Sequence, residues 1–325
     1  MNMNGRHIAV IGAGAWGTAL ACAAARTGAR VTLWMRTPVP DGVRELPRLP
    51  GIQLPDAVTV TGVFPTDADV VLLVVPVQTA RSVSVALEGV LAPGVPVVTC
   101  CKGLEQATSL LPLTVLAETM PDRPTAVLSG PNFAIEIAKG LPAAATLAST
   151  DLTLAKHLTS ILNSSSFRLY ASDDIAGVQL AGAAKNVVAI GAGIVIGAGL
   201  GENGRAALIT RAVAEIARLA EALGGRAATL AGLSGVGDLI LTCTGRGSRN
   251  YSLGIELGEG RPLSAILASR TTVAEGVLTA PALVALAQKM GVHVPILETI
   301  THLLSEKLTL EEARTLLLDR PPTLE

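Results

Sequence analysis

The stretch His7-Ile-Ala-Val-Ile-Gly12-Ala-Gly14-Ala-Trp-Gly17 decides the fold, because an apolar run ends there in spaced glycines and gives way to small residues as far as Ala25. His7 to Ile11 reads as a strand and Trp16 to Ala25 as a helix. Between them, Gly12 permits a tight turn, Gly14 lets a backbone approach a pyrophosphate, and Gly17 lets the helix pack on the strand. The first-turn N–H groups are then aimed at phosphates. A ligand-free strand-to-helix turn is the plainer reading. The strand before it, the helix after it and a second strand at Val31 to Met35 favour a dinucleotide site.

The residue after that second strand meets the adenosine ribose, and here it is Arg36. An acidic side chain would bind both ribose hydroxyls of NAD, whereas a guanidinium pairs with the 2'-phosphate of NADP. Arg36 therefore favours NADPH, with NADH also admitted; a solvated surface arginine is the alternative.

Outward from this unit, β-prone apolar runs recur at Val70 to Val75, Val95 to Cys100, Ala126 to Ser129, Ala143 to Leu147 and Phe167 to Tyr170, with helical stretches between several of them. That alternation predicts a parallel sheet with crossover helices and ligands at the strands' carboxyl ends. Pro76, then Lys102 and Gly103, then Gly130, Pro131 and Asn132 follow such ends. From about Ala176 the pattern becomes helical. Apolar residues from Leu208 to Leu223 repeat at helical spacing within Arg205 to Leu223, and Gly224 supplies the stop. Further helices are expected at Thr279 to Met290, Pro295 to Leu304 and Leu310 to Leu318, the last with Thr309 and Glu312 as a capping box. The Pro-rich stretch Pro38 to Pro55 reads as a surface loop. The expected fold is α/β: an N-terminal Rossmann-type dinucleotide-binding domain over residues 1–175, and a C-terminal all-α substrate domain over residues 176–325. The active site is expected in the cleft between them.

A chain of 325 residues with 50% hydrophobic residues can bury two cores. Its net charge of -1 and 2% aromatic content disfavour nucleic-acid binding. Cys22, Cys100, Cys101 and Cys243 form no Cys-x-x-Cys pair and fit reduced thiols in the cytoplasm. The N-terminus shows no export signal. Val187 to Leu200 is nearly all apolar, but it is too short to span a bilayer and is preceded by Gln179, Lys185 and Asn186, so it reads as a buried helix joining the domains. The histidines, His7, His157, His293 and His302, lack ligand spacing, so no metal site is expected.

Two polar islands interrupt the apolar second half. One is Lys185 with Asn186, where lost hydration lowers a lysine's proton affinity and suits it to proton transfer; a lysine snorkelling to the surface is the alternative. The other runs from Gly235 to Asn250. Asp238 and Thr242 are four apart and share a helix face, so Asp238 could orient an amine. Ser248, Arg249 and Asn250 at a helix start form a phosphate clamp, or else a solvated basic turn.

Taken together, these residues resemble the bacterial NAD(P)-dependent glycerol-3-phosphate dehydrogenases along nearly the whole chain. The resemblance rests on Gly12-Ala-Gly-Ala-Trp-Gly-Thr-Ala-Leu-Ala, Lys102-Gly-Leu-Glu, Ser129-Gly-Pro, Gly177-Val-Gln-Leu and Ala184-Lys-Asn. It continues through Gly235-Val-Gly-Asp-Leu, Leu241-Thr-Cys-Thr, Ser248-Arg-Asn and Val273-Ala-Glu-Gly. It implies reduction of dihydroxyacetone phosphate to sn-glycerol 3-phosphate by NADPH or NADH, supplying phospholipid synthesis, by a homodimer. It makes Lys185 the proton donor and acceptor, with Asp238 and Thr242 as its supports and Lys102 polarising the carbonyl. Gly130, Asn132, Asn186, Ser248, Arg249 and Asn250 fall on substrate positions, together with Lys102, Lys185 and Asp238. Gly12, Gly14, Ala15, Trp16, Gly17, Arg36, Lys102, Ala134, Arg249, Val273 and Glu275 fall on cofactor positions. Two residues depart from the family pattern: Asn132 stands where Ser or Thr is expected, and Val77 where Ser is expected. The rival readings are a related β-hydroxyacid dehydrogenase, which the Ser248-Arg249-Asn250 island with Lys102 argues against, and a catalytically silent dinucleotide sensor.

Overall fold

The computed structural model describes residues 5–37, 39–40, 42–245, 247–270 and 274–318. The chain divides into two compact units, residues 1–102 with 111–179, and residues 103–110 with 180–325. The division thus falls at Gln179 rather than 175, and a short segment after Lys102 is counted with the second unit.

The first unit is built on eight strands: β1 (His7–Ile11), β2 (Arg30–Trp34), β3 (Val58–Thr61), β4 (Val70–Leu73), β5 (Val97–Thr99), β6 (Thr125–Ser129), β7 (Ala143–Ala148) and β8 (Phe167–Ser172). Its helices are α1 (Ala15–Ala25), α2 (Val77–Glu88), α3 (Pro112–Thr119), α4 (Ala134–Lys139) and α5 (Leu152–Leu162). The sheet order is β3-β2-β1-β4-β5-β6-β7-β8, and every pair is parallel except β6 with β7. The central strands β1 and β4 are buried along their whole length, as a sheet covered on both faces requires. On one face Leu20, Leu33, Leu128, Leu158 and Phe167 pack together; on the other, Leu73, Leu87, Leu116, Met120 and Val178 do. Between β1 and β4 the strand order reverses direction, and such a switch point leaves a crevice at the carboxyl ends.

The Pro-rich stretch is not the surface loop its composition suggests. Within it Leu46, Leu49, Ile52 and Leu54 are buried, Glu45 and Gln53 form an antiparallel bridge, and Arg44 donates to the carbonyls of Leu54 (2.9 Å) and Val58 (3.0 Å). Pro38 at its start lies outside the described residues. The segment ends in β3, a strand the sequence did not announce because its four residues follow a run of prolines. His7 is structural: its ring contacts Thr32 Oγ1 at 2.7 Å.

The second unit holds most of α6 (Ile175–Gly197), then α7 (Gly201–Ala222), α8 (Ala227–Leu230), a π-helical turn at Leu233–Gly237, α9 (Asp238–Thr244), α10 (Arg249–Gly258), α11 (Leu263–Ala268), α12 (Glu275–Lys289), α13 (Pro295–Leu304) and α14 (Leu310–Leu318). Helices α13 and α14 have their expected bounds. The capping box forms, with Thr309 N–H donating to Glu312 Oε2 (2.8 Å) and Glu312 N–H to Thr309 Oγ1 (3.3 Å). Helix α12 begins four residues earlier than expected and carries Pro281 inside it. The start of α13 is held by buried Glu215 of α7, whose carboxylate accepts from the Ile296 (2.8 Å) and Leu297 (3.2 Å) N–H groups.

Helix α6 is longer than the apolar run that marks it. By length and composition it could cross a membrane, yet 89% of its most apolar window is buried inside the protein; a second such stretch, Ala227–Thr244, is 39% buried. The burial of α6 has a specific cause. A Cβ on Gly193 would lie 2.2 Å from Tyr251 O, on Gly197 2.1 Å from Ile255 O, on Gly254 2.1 Å from Ile190 O, and on Gly258 2.4 Å from Ile194 O. Helices α6 and α10 therefore touch backbone to backbone, and only hydrogen fits at these four positions. Gly254→Ala is expected to destabilise the protein by about 1–3 kcal/mol, the usual overpacking penalty. Gly89→Ala, whose Cβ would meet only Ala86 O at 3.7 Å, should leave the denaturation midpoint unchanged; equal midpoints for the two variants would refute the crossing.

Candidate active site

In the first unit the glycine turn is assembled as its spacing predicts. Gly12 has φ +118°, and a Cβ there would fall 2.4 Å from Val74 O; on Gly17 it would fall 1.7 Å from Gly12 O. Those two glycines are demanded by the fold. A Cβ on Gly14 meets nothing within 4 Å, so no protein atom explains that glycine, and the space in front of it is the cradle a pyrophosphate needs. Gly14 caps α1 without a side chain, and no acidic residue lies in the first turn, which leaves the positive helix end for an anion. Beside Ala15, Trp16 Nε1 is buried without a hydrogen-bond partner among the described residues. At the end of β2, Trp34 donates to Gly62 O (3.0 Å) and stacks on Phe64 with ring centres 4.5 Å apart, while Arg36 just beyond is exposed. These residues fit a dinucleotide.

At the carboxyl ends of β5 and β6, the Lys102 ammonium donates to Gly130 O at 3.2 Å. Gly130 is required, because a Cβ would lie 2.8 Å from the Ala145 Cα. Both amide atoms of Asn132 are buried and lack partners among the described residues. An orphaned amide is costly unless a ligand satisfies it, so the longer Asn side chain keeps the donor and acceptor that a hydroxyl would supply. Val77, at the first position of α2, is 3% exposed and packs in the core, so the missing hydroxyl is replaced by apolar contact. Ala134 opens α4 and packs partly buried against the core.

In the second unit, α6 and α9 bring Lys185 and Asp238 together. Lys185 Nζ lies 2.5 Å from Asp238 Oδ1 and 3.2 Å from Thr242 Oγ1, and Thr242 donates to Asp238 at 3.3 Å. Asp238 is 0% exposed and Lys185 8%. Lys185 is therefore desolvated as expected, and the Asp238 carboxylate pairs with its ammonium. The π-helical turn places Asp238 at the start of α9; a Cβ on Gly235 within it would lie 2.0 Å from Leu230 O. Burial pushes the neighbouring Cys243 thiol up to about 12, with Lys185 pulling the other way, so it stays neutral. Cys22 and Cys100 are likewise raised by burial, and all four cysteines are buried free thiols.

At the next position of α6, Asn186 Oδ1 accepts from Asn250 Nδ2 (2.9 Å), and Asn250 Oδ1 accepts from the Gly276 N–H (3.1 Å). Ser248 caps α10 by accepting from the Tyr251 N–H (3.3 Å), so its own hydroxyl hydrogen remains available. Arg249 is exposed at the first position of α10. Glu275 opens α12 half-buried, and Val273 lies outside the described residues. Sequence reasoning missed the Gly276 N–H, since a main-chain donor leaves no trace in residue type. Among the described residues, no group of three or more His, Cys, Asp or Glu side chains converges on a point.

If Gly14 makes room for a ligand rather than for protein, Gly14→Ala should fold with unchanged thermal stability. Its NADPH affinity, read by fluorescence titration, should fall about tenfold or more, given a steric penalty of about 1–3 kcal/mol; unchanged affinity would remove the cradle.

Comparison with known proteins agrees with this geometry. Residues 7–155 match the family model of the NAD-dependent glycerol-3-phosphate dehydrogenase N-terminus, and residues 174–315 that of its C-terminus. The chain is 79% identical over 319 residues to a glycerol-3-phosphate dehydrogenase [NAD(P)+] of Gluconobacter oxydans, covering 98% of both chains. It is 50% identical to one from a Bradyrhizobium species, over 97% of this chain and 96% of that one. The crystal structure of glycerol-3-phosphate dehydrogenase from Coxiella burnetii superposes with a TM-score of 0.89 at 36% identity, over 98% of this chain and all of that one. The chain belongs to the NAD(P)-dependent glycerol-3-phosphate dehydrogenase family.

Proposed function

We propose that this dehydrogenase reduces dihydroxyacetone phosphate to sn-glycerol 3-phosphate with Lys185 as the proton donor, and takes the proton back in the reverse direction. The observation that carries this reading is the buried triangle of Lys185, Asp238 and Thr242, one residue from an asparagine that reaches the start of α10. The bound nicotinamide supplies the hydride for the carbonyl carbon. Asp238 and Thr242 hold Lys185 Nζ so that one N–H can face the carbonyl oxygen and follow the charge that develops there. Lys102 adds a fixed positive charge at that oxygen, and Asn132 and Gly130 line the same strand ends. Ser248, Arg249 and Asn250 hold the phosphate through a guanidinium, a hydroxyl, an amide and the first-turn N–H groups of α10. Asn186 faces the same ligand through its amide.

The cofactor is assigned to Gly12, Gly14, Ala15, Trp16 and Gly17 at its pyrophosphate and to Arg36 at its ribose, with Ala134, Lys102, Arg249, Val273 and Glu275 as further contacts. Exposed Arg36 favours NADPH, because a guanidinium pairs with a 2'-phosphate and binds a bare ribose weakly. The product would serve as the backbone of glycerophospholipids. A homodimer is proposed on the family resemblance, and a cytoplasmic location on the four free thiols.

NADPH oxidation is to be followed with dihydroxyacetone phosphate beside unphosphorylated dihydroxyacetone, and kcat/KM should be far lower without the phosphate. Bound NADPH without turnover would support the silent-sensor reading instead. Lys185→Ala should lower kcat by about 10²- to 10⁴-fold while leaving NADPH affinity intact; loss of cofactor binding would count against a proton-transfer role. Arg249→Ala should raise KM for dihydroxyacetone phosphate about tenfold or more, the size of a lost charged hydrogen bond, with kcat little changed. Arg36→Asp should lower the NADPH-to-NADH ratio of kcat/KM by about tenfold or more; an unchanged ratio would sink the ribose assignment.

A further inference from the structure

Arg270 belongs to none of the groups assigned above, yet among the described residues every acceptor of its guanidinium lies on α10. Nη1 donates to the main-chain carbonyl of Arg249 (2.9 Å) and to Ser252 Oγ (3.2 Å), and Nη2 pairs with Glu256. From the other end of the connection into α12, the Gly276 N–H donates to Asn250 Oδ1 (3.1 Å). Residues 249 and 250 are thus each gripped once, from positions on either side of residues 271–275. Arg249 sits at the first position of its helix with an exposed side chain, and Asn250 beside it is buried.

We propose that Arg270 is a positioning residue for the substrate's phosphate. The inference rests on the assignment of Arg249 and Asn250 to that group. First-turn N–H groups have no intrahelical partners, so a helix start frays and an anion that binds there must order it. A planar guanidinium that spans a carbonyl and a carboxylate removes that freedom in advance, and the ordering cost no longer falls on binding. Glu256 also pairs with Arg261, so the carboxylate sits between two cations and offsets the charge of Arg270. What Arg270 contributes to the clamp is geometry, through the Arg249 carbonyl.

The test compares Arg270→Gln with Arg261→Gln. The second variant removes the other cation of Glu256 without touching the Arg249 carbonyl. Arg270→Gln should raise KM for dihydroxyacetone phosphate about three- to tenfold, the size of one or two ordinary hydrogen bonds, at nearly constant kcat. The dissociation constant of sn-glycerol 3-phosphate, measured by calorimetry, should rise by the same factor. The kcat/KM for unphosphorylated dihydroxyacetone should hold, because that substrate carries no group for the phosphate clamp. Arg270→Lys, with a single point of attachment, should fall between wild type and Arg270→Gln, and Arg261→Gln should match wild type. The proposal is overturned if Arg270→Gln keeps its phosphate-dependent constants, if it loses dihydroxyacetone turnover to the same degree, or if Arg261→Gln behaves alike. Arg249→Ala run in parallel separates the two levels. An unchanged KM in that variant removes the phosphate assignment itself, whereas a raised KM beside an unaltered Arg270→Gln removes only the positioning role.

Discussion

The backbone contact between α6 and α10 is the constraint on which the second unit depends. Packed helices usually keep their axes about 8–10 Å apart because side chains intervene. Here Gly193, Gly197, Gly254 and Gly258 remove the side chains from both surfaces, and each position has a main-chain atom of the other helix where its Cβ would be. Asn186 lies two turns before Gly193 and Asn250 one turn before Gly254, so the crossing sets the separation at which their amides meet at 2.9 Å. Each interior glycine costs a helix about 0.5–1 kcal/mol relative to alanine. Ordinary side chains at these four positions would hold the two helices farther apart and separate the Asn186 and Asn250 amides.

A second constraint is electrostatic and follows from the first. Close packing leaves Lys185 and Asp238 nearly without water, and either charge alone would be strongly destabilising there. Their contact, with Thr242 as a third member, makes both tolerable and ties the Lys185 ammonium to α9. The site is therefore ordered before any ligand arrives. Its one nearby thiol, Cys243, is kept neutral by the same burial.

Much of this was legible in the sequence because it rests on residue types with few uses. Glycines at 12, 14 and 17 after an apolar run, a lone lysine in a helix of small residues, and an Asp and Thr four apart each restrict what the backbone can do. Glycine spacing separated the two glycines that the turn and the packing demand, Gly12 and Gly17, from Gly14 in open space, although the neighbour that Gly12 meets, Val74, is distant in sequence. Strand β3 escaped because short strands beside prolines resemble loops, and the leucines of the Pro-rich stretch were hidden by the same composition. The start of α12 was placed too late because Pro281 reads as an early-helix residue and here lies a turn and a half inside. Arg270 carries no local pattern: its partners are 14 to 21 residues away on another helix.

The reversal of β7 has a consequence for how the molecule can vary. The first six strands follow the order 3-2-1-4-5-6 of a dinucleotide fold, and β7 then runs against β6 while β8 follows β7. The start of β7, rather than its end, consequently stands beside Gly130, and the alanines at 143 to 145 form a thin wall there. Ser149, just past the far end of β7, instead hydrogen-bonds Thr125 at the beginning of β6. The connections that leave β7 and β8 therefore open at the edge of the sheet opposite Lys102 and Asn132. Insertions or deletions accumulating around residues 149–151 would drift in length on that remote rim, and the strand ends that carry Lys102 and Asn132 are separated from them by the full length of the strands.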